Sequence, residues 1–429
     1  MSARLALRLA LLLALLAATP RLAGADSAKA APKPLKNPDR REIGLLPAVS
    51  FSTDIGLGLG AVASWTRFAR GKAPFKYRIE ALFLFTLKQS ESGIISPYHS
   101  DYLQIDVPGL FGGRVRINAE AAFRRFSNIG YYGLGNAAGN DNPYEGVDAL
   151  AAERHFRYVR TYPSLTARAR IALDSDKRWQ ALLGAAVTYN AFSPCDGDTP
   201  CPDTKLERDK QARADDRELE RALRGTDDHL LPTLIVGLIY DSRDHNFSPR
   251  RGAFHEISLR GAPRPGLFFG NVNITLRAFH PIFSWLTFAW RAMADLLFGQ
   301  VPFYMLARYG GLSPDYALGG SNGVRGVPLG RYHGRMKFFG NFELRARFVS
   351  FSLFGASFRF GATAFVDVGR VFTDYRSIER LDGSGDGIKA AIGGGLRLLW
   401  GEAFVIRADV GWSPDAEPIG IYVVVGQAF

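Results

Sequence analysis

The sequence predicts an all-β fold, a sixteen-stranded antiparallel transmembrane β-barrel with long extracellular loops. Three observations predict it. Segments of about ten residues alternate apolar and polar side chains with a period of two, the repeat of a strand and not of a helix. Sixteen such segments fit the chain, and an even number closes an antiparallel barrel with both ends on one side. The connections alternate between long and short, as they do in barrels with extended outer loops and tight inner turns.

In chain order, a basic start, Met1 to Arg8, precedes an apolar run, Leu9 to Ala18, and the small-x-small pattern Ala23-Gly24-Ala25. This is the anatomy of a cleaved signal peptide over 1–25, too short for a membrane helix. Residues 26–43, with their Ala, Lys and Pro, read as a flexible periplasmic lead-in, and the barrel occupies 44–429. Strands are expected at 45–51, 57–68, 76–88, 101–111, 114–126, 155–173, 179–192 and 229–242. The second half adds 253–263, 272–283, 286–299, 337–351, 358–372, 388–400, 404–412 and 419–429. Long connections at 128–154, 193–228 and 300–336 follow odd strands. Short ones such as 112–113, 174–178 and 284–285 follow even strands.

The faces differ in kind as well as in polarity. Over 337–348 one face reads Phe338, Gly340, Phe342, Leu344, Ala346, Phe348, and the other Lys337, Phe339, Asn341, Glu343, Arg345, Arg347. A soluble sandwich would also alternate, but its polar face meets water. Here the polar faces mix Gly, Asn, Glu and Arg, which suits a lumen of charged networks with lipid outside. Trp65, Trp179, Trp285 and Trp400 fall near strand ends on the short-turn side, as an interfacial girdle requires. Val423, Val425 and the terminal Phe429 share the expected lipid face, although Gln427 interrupts it, and a terminal aromatic fits a C-terminal barrel signal.

Composition agrees. Among 429 residues, 46 Gly and 31 Phe against 4 Met favour strands and turns over helix bundles. No stretch of 18 apolar residues follows the leader, which excludes a helical span. The formal charge of +12 includes Arg4, Arg8 and Arg21 of the leader, leaving 50 basic against 41 acidic residues in the mature chain. The basic residues are spread rather than clustered, so no nucleic-acid partner is expected. Cys195 and Cys201, in a Pro/Asp/Gly-rich stretch of an exported chain, can close a small disulfide loop or remain as two thiols. The stretch from 204 to 225 is nearly all charge and reads as a solvated surface helix. No metal-ligand spacing or cofactor motif emerges, so no metal and no cofactor are expected.

Several segments resemble one family. Tyr316 to Gly326, reading Tyr-Ala-Leu-Gly-Gly-Ser-Asn-Gly-Val-Arg-Gly, is similar to the sixth extracellular loop of the bacterial surface antigen superfamily. That superfamily includes BamA- and TamA-like outer-membrane assembly factors and two-partner secretion transporters. The family's loop hallmark continues with an aromatic; here Val327 takes that place. Asn341 to Arg345 resembles the strand after the loop, and Phe365-Val366-Asp367-Val368-Gly369 the F-x-D-x-G strand. Tyr240-Asp241-Ser242-Arg243-Asp244, with Pro249 and Gly252, matches a Y-D-x-R-D turn, and Thr53 to Gly60 and Tyr131 to Asn136 are similar too.

The resemblance implies that the long loop folds into the lumen and that Arg325, beside Val324 and Gly326, pairs with Asp367. An Arg fork and a carboxylate at low dielectric would make a bidentate pair that pins the loop. Gly319-Gly320-Ser321-Asn322-Gly323 spells a hydrolase elbow, but it lacks the strand–turn–helix context, and no enzyme is expected. Asp241, Arg243 and Asp244 read as a tight turn held by Asp side chains on backbone N–H groups. Residues 26–44 are too few for the POTRA domains that such assembly factors carry. The implied function is outer-membrane biogenesis, inserting or translocating protein or lipid; the alternative is a passive or loop-gated pore. Implied partners are outer-membrane lipids including lipopolysaccharide, the barrel assembly machinery during its own insertion, client outer-membrane proteins, and a second copy in a homodimer.

Overall fold

The structure, a computed structural model, describes residues 39–70, 75–196, 201, 203–353, 356–400, 404–416 and 419–429. The signal peptide expected over 1–25, and the lead-in as far as residue 38, lie outside the described residues. Strand segments form one closed antiparallel sheet, and they make sixteen barrel strands. The first eight are β1 Arg41–Ser52, β2 Gly56–Arg67, β3 Tyr77–Ser90, β4 Tyr98–Gly109, β5 Val115–Gly130, β6 in two pieces (Arg157–Thr161 and Ser164–Ala172), β7 Trp179–Ser193 and β8 His229–Asp241. Then come β9 Gly252–Ala262, β10 Phe269–Pro281, β11 Leu286–Gly299, β12 Met336–Leu353, β13 Ala356–Phe372, β14 Lys389–Trp400, β15 Phe404–Trp412 and β16 Gly420–Val425. A short extra strand, Gly93–Ile95, extends the end of β3.

Period-two patterning places the side chains. Along β12, Lys337, Phe339, Asn341, Glu343 and Arg345 are buried in the lumen, while Leu344 and Phe348 are exposed on the outer face. A one-residue slip would turn this charged set into lipid, so the register is strongly specified. Trp65, Trp179, Trp285 and Trp400 are all exposed on the outer surface, close to the short turns.

Two strands depart from the sequence reading. The expected strand 155–173 is broken at Tyr162-Pro163, where proline has no N–H to give the ladder. Its neighbour β5 shifts register between Phe126 and Ile129 at the same level. The last strand, expected over 419–429, ends at Val425.

The barrel is closed unevenly. Strands β1 and β2 stay in register from Arg41↔Arg67 to Ser52↔Gly56. Among the described residues the closing pair β1–β16 meets only at Phe51↔Val423 and Ser52↔Tyr422, with the Thr53 N–H donating to Ile421 O at 3.1 Å just beyond.

Candidate functional site

The site grows from the loop between β11 and β12, residues 300–335, which turns back into the lumen. A short 3₁₀ turn, Phe303–Met305, seats Phe303 and Tyr304 in an aromatic cluster with Tyr131, Tyr158 and Phe192. A second cluster packs Leu318, Val324, Val327 and Tyr332 against Phe339 and Val371 of the wall. The chain can bend this tightly because Gly319 and Gly326 have φ of 115° and 97°. At Gly326 a Cβ would also lie 2.8 Å from Gly411 O, so the loop touches the backbone of β15 itself. Gly320 carries a positive φ as well, while Ser321 offers its carbonyl to Arg407 Nη1 at 2.9 Å.

Arg325 is fully buried at the tip. Its Nε donates to Asp367 Oδ2 at 2.8 Å and its Nη2 to Oδ1 at 2.9 Å, a bidentate fork. Nη1 reaches two further carboxylates, Glu343 Oε1 at 2.7 Å and Asp409 Oδ2 at 3.1 Å. Its own N–H also donates to Asp367 at 3.1 Å, and the guanidinium lies over the Phe365 ring at 3.4 Å. The acids are shared outward: Arg345 donates to Glu343 at 2.7 Å, and Arg397 and Arg407 to Asp409 at 2.5 and 3.0 Å. Asn341 donates to Asp367 at 2.7 Å and to Gly323 O at 2.8 Å. The Gly326 N–H donates to the Tyr422 hydroxyl at 3.1 Å, tying the loop to β16. Three strands, β12, β13 and β15, thus each bring a carboxylate to one loop arginine, and β14 joins through Arg397 on Asp409. Val327 is fully buried.

The sequence pairs Arg325 with Asp367 but does not assign Glu343, Asp409 or Tyr422 to the same site. Their signal was the inward face of an alternating strand, which many residues share.

The Y-D-x-R-D turn closes the short-turn end. Arg243 forks onto Asp241 at 2.8 Å through both Nε and Nη2, and Asp244 Oδ1 accepts the N–H groups of Arg250 and Arg251 at 2.9 and 3.2 Å. Gly252 has φ 99°, and Tyr240 stacks on His255. At the opposite end the long loops interlock. The Gly135 N–H donates to His333 O at 2.8 Å, Arg380 pairs with Asp216 at 2.9 Å and Arg221 with Asp374 at 3.1 Å. The charged stretch forms two short helices, α1 Lys205–Ala212 and α2 Arg217–Ala222. The first is not wholly solvated: its Asp209 is buried and accepts the Tyr131 hydroxyl at 2.9 Å. Cys195 and Cys201 are joined in a disulfide.

Phe429 corrects the sequence reading. The alternation puts it on the lipid face, but the chain leaves the sheet at Gly426, φ 102°, and turns inward. Phe429 is 9% exposed, packed with Phe279 and Ala289, between the guanidinium groups of Arg345 and Arg291 at 4.7 and 5.3 Å. These cation–π contacts, with Arg345 Nη2 donating to Phe429 O at 3.4 Å, hold the terminus in the lumen. Gln427, the break in the expected apolar face, accepts from Arg397 at 3.2 Å.

A lumen loop locked by one arginine inside a sixteen-stranded barrel defines a class, and the sequence comparison agrees with it. Residues 123–429 match the Omp85 superfamily domain. The chain belongs to that superfamily and is an outer-membrane β-barrel. Its structure is similar to that of BamA from Haemophilus ducreyi lacking POTRA domains 1–3, with a TM-score of 0.54 and 14% identity over 90% of this chain and 70% of that one. It is also similar to CdiB from Escherichia coli, with a TM-score of 0.55 and 13% identity over 91% and 68% of the two chains. At such identities the likeness is one of fold. No curated protein matches the sequence.

Proposed function

We propose that the barrel serves outer-membrane biogenesis by receiving a client, a protein strand or a lipid, at the seam between its first and last strands. The observation that carries this reading is the brevity of the seam, confined to Phe51↔Val423 and Ser52↔Tyr422. Along 41–50 the outer edge of β1 has no strand partner among the described residues, and Ile43 and Leu45 on it are 85% and 72% exposed. Unpaired N–H and C=O groups in hydrocarbon are costly, and an open edge is a template for strand addition. The partners this reading implies are client outer-membrane proteins and the lipids, lipopolysaccharide included, that border the edge. The reading involves no catalytic step, because Ser321 lies on a glycine-rich lumen loop without a nucleophile's strand–turn–helix setting.

A loop-gated pore is the second reading, favoured by a cavity of about 550 Å³ that remains in the lumen beside the loop. A disulfide staple separates the two. The purified Phe51→Cys/Val423→Cys barrel, oxidised in liposomes, is expected to lose any acceleration of client-barrel folding, to regain it on reduction, and to keep its conductance. Acceleration that survives the staple would remove the seam from the mechanism. Conductance in the unstapled barrel without acceleration would establish the pore.

A further inference from the structure

The Arg325 lock fills the side of the lumen walled by β11 to β16. On the other side, between β4–β9 and the flank of the loop, lies the cavity of about 550 Å³, within the size range of small-ligand sites. Five guanidinium groups line it: Arg124, Arg160, Arg168, Arg260 and Arg308. Arg124 is ion-paired there, to Glu120 at 2.9 Å.

The other four have no carboxylate within ion-pair distance among the described residues. Arg160, nine-tenths buried, donates to Asn190 Oδ1 and lies over the Tyr304 and Tyr162 rings at 3.8 and 4.4 Å. Arg260 donates to Gly311 O at 3.1 Å, and Arg308 lies over the Tyr316 ring at 4.9 Å. Arg168 has neither hydrogen bond nor ion pair among the described residues; Glu120 and Glu256 act on it only as a longer-range field.

The two remaining carboxylates of the lining are turned to other work. Asp54 accepts the Leu329 N–H at 3.0 Å and the Ser52 hydroxyl at 3.3 Å. Asp315 accepts the Tyr316 N–H at 2.8 Å and Asn322 Nδ2 at 2.9 Å. Asp315 acts on Arg308, and Asp295 and Glu256 on Arg260, as a longer-range field, so the five arginines outnumber the three lining carboxylates and keep a net positive charge that an entering anion offsets. The guanidinium fork matches phosphate and carboxylate oxygens in pairs.

The cavity also reaches the seam. Ser52 of β1 and Val424 of β16 are part of its wall, and Ile55, Leu231 and Ile235 give it an apolar side. We infer that this cavity binds a ligand carrying phosphate or carboxylate groups, the headgroup of an anionic amphiphile that enters at the seam. The entry route rests on the seam reading above; the anion chemistry does not.

The full barrel in phosphatidylcholine nanodiscs is titrated calorimetrically with pyrophosphate, and retention of added phosphatidylglycerol is followed by native mass spectrometry. Pyrophosphate is expected to bind, and Arg168→Gln and Arg260→Gln each to weaken it about tenfold or more. Arg168→Lys keeps the charge without the fork and should fall between. Arg170→Gln, a strand arginine outside this cavity, should bind like the parent. Heat-modifiability on gels reports that each variant is folded. Preferential retention of phosphatidylglycerol that depends on Arg168 and Arg260 assigns the headgroup. Arginine-dependent pyrophosphate binding without that preference keeps the anion site and overturns the amphiphile. Arginine-independent binding, or none, overturns the proposal, whatever the seam staple does to client folding.

Discussion

The two halves of the lumen use the same residues to opposite ends. On the β11–β16 side, arginines and acids interleave: Arg325 touches Asp367, Glu343 and Asp409, and those acids also serve Arg345, Arg397 and Arg407. On the β4–β9 side, four of the five cavity arginines have no ion-paired acid among the described residues. Burying a charge is costly unless it is paired and hydrogen-bonded. The first half therefore fixes a loop, and the second keeps charge in reserve around an open space. The lesson is that a count of lumen arginines says little; what decides their role is how many acids sit at the same height on the wall.

The comparison breaks first at Arg325. Arg325→Ala leaves three carboxylates short of a partner, and losing one member of a buried pair costs on the order of 3–5 kcal/mol. The variant should show a lower urea midpoint, higher conductance and new tryptic cleavage near Arg331 and Arg335. An unchanged midpoint would show that the lock contributes nothing to stability. The next effect concerns charge reversal. For an isolated pair, Arg325→Asp with Asp367→Arg should restore part of the loss. Here Glu343 and Asp409 lie 2.7 and 3.1 Å from the guanidinium that the reversal replaces with a carboxylate, so the double reversal should be no more stable than Arg325→Ala. The alanine cycle on the same two residues should still show coupling of about 0.5–3 kcal/mol.

How much of this was legible follows from what a period-two pattern encodes. It tells which face a residue occupies, so the inward row of β12 and the sixteen-strand closure could be read from residues such as Asn341 and Glu343. It does not tell the height along the barrel axis, which depends on register and strand tilt. Glu343 and Asp409 were visibly inward but could not be assigned to Arg325 on that basis, whereas Asp367 was singled out by the motif resemblance. Alternation extended through Gly426 points Phe429 outward, whereas the φ of 102° at Gly426 ends the pattern and turns the terminus inward. The break at Pro163 is legible as a proline inside an otherwise alternating run. The arginine-lined cavity was illegible, because it exists only once the 300–335 loop has taken the other side of the lumen.

A smaller effect tests how tightly the loop base is sealed. His333 is fully buried, with neither ring nitrogen hydrogen-bonded among the described residues. Burial first, then Lys337 and Arg331, push its pKa down to about 3. The folded state thus holds the imidazole neutral while the unfolded chain titrates near 6.5. Its contribution to stability is complete above pH about 6.5 and is lost progressively as pH falls toward about 3. By pH 5.5 the loss should be roughly 1 kcal/mol. His333→Gln should flatten that part of the urea-midpoint profile; a parent profile already flat between pH 7 and 5 would place water at the imidazole.

The smallest effect carries the sharpest form of the comparison, because its sign differs between the halves. Arg345→Met removes a guanidinium 2.7 Å from Glu343 and should destabilise, since the carboxylate keeps its burial and loses a partner. Arg168→Met removes one that has no ion pair or hydrogen bond among the described residues, and its neighbours Arg124 and Arg260 are left with less repulsion. Methionine keeps much of the apolar stem, so packing changes little. The urea midpoint of Arg168→Met should therefore stay where it is or rise, by less than about 1 kcal/mol in stability. Added pyrophosphate should raise the midpoint of the parent and leave that of Arg168→Met nearly still, because only a ligand bound to the folded state shifts the equilibrium. Were Arg168→Met to destabilise as strongly as Arg345→Met, the unpaired arginines would be structural like the others, and the two halves of the lumen would differ in geometry alone.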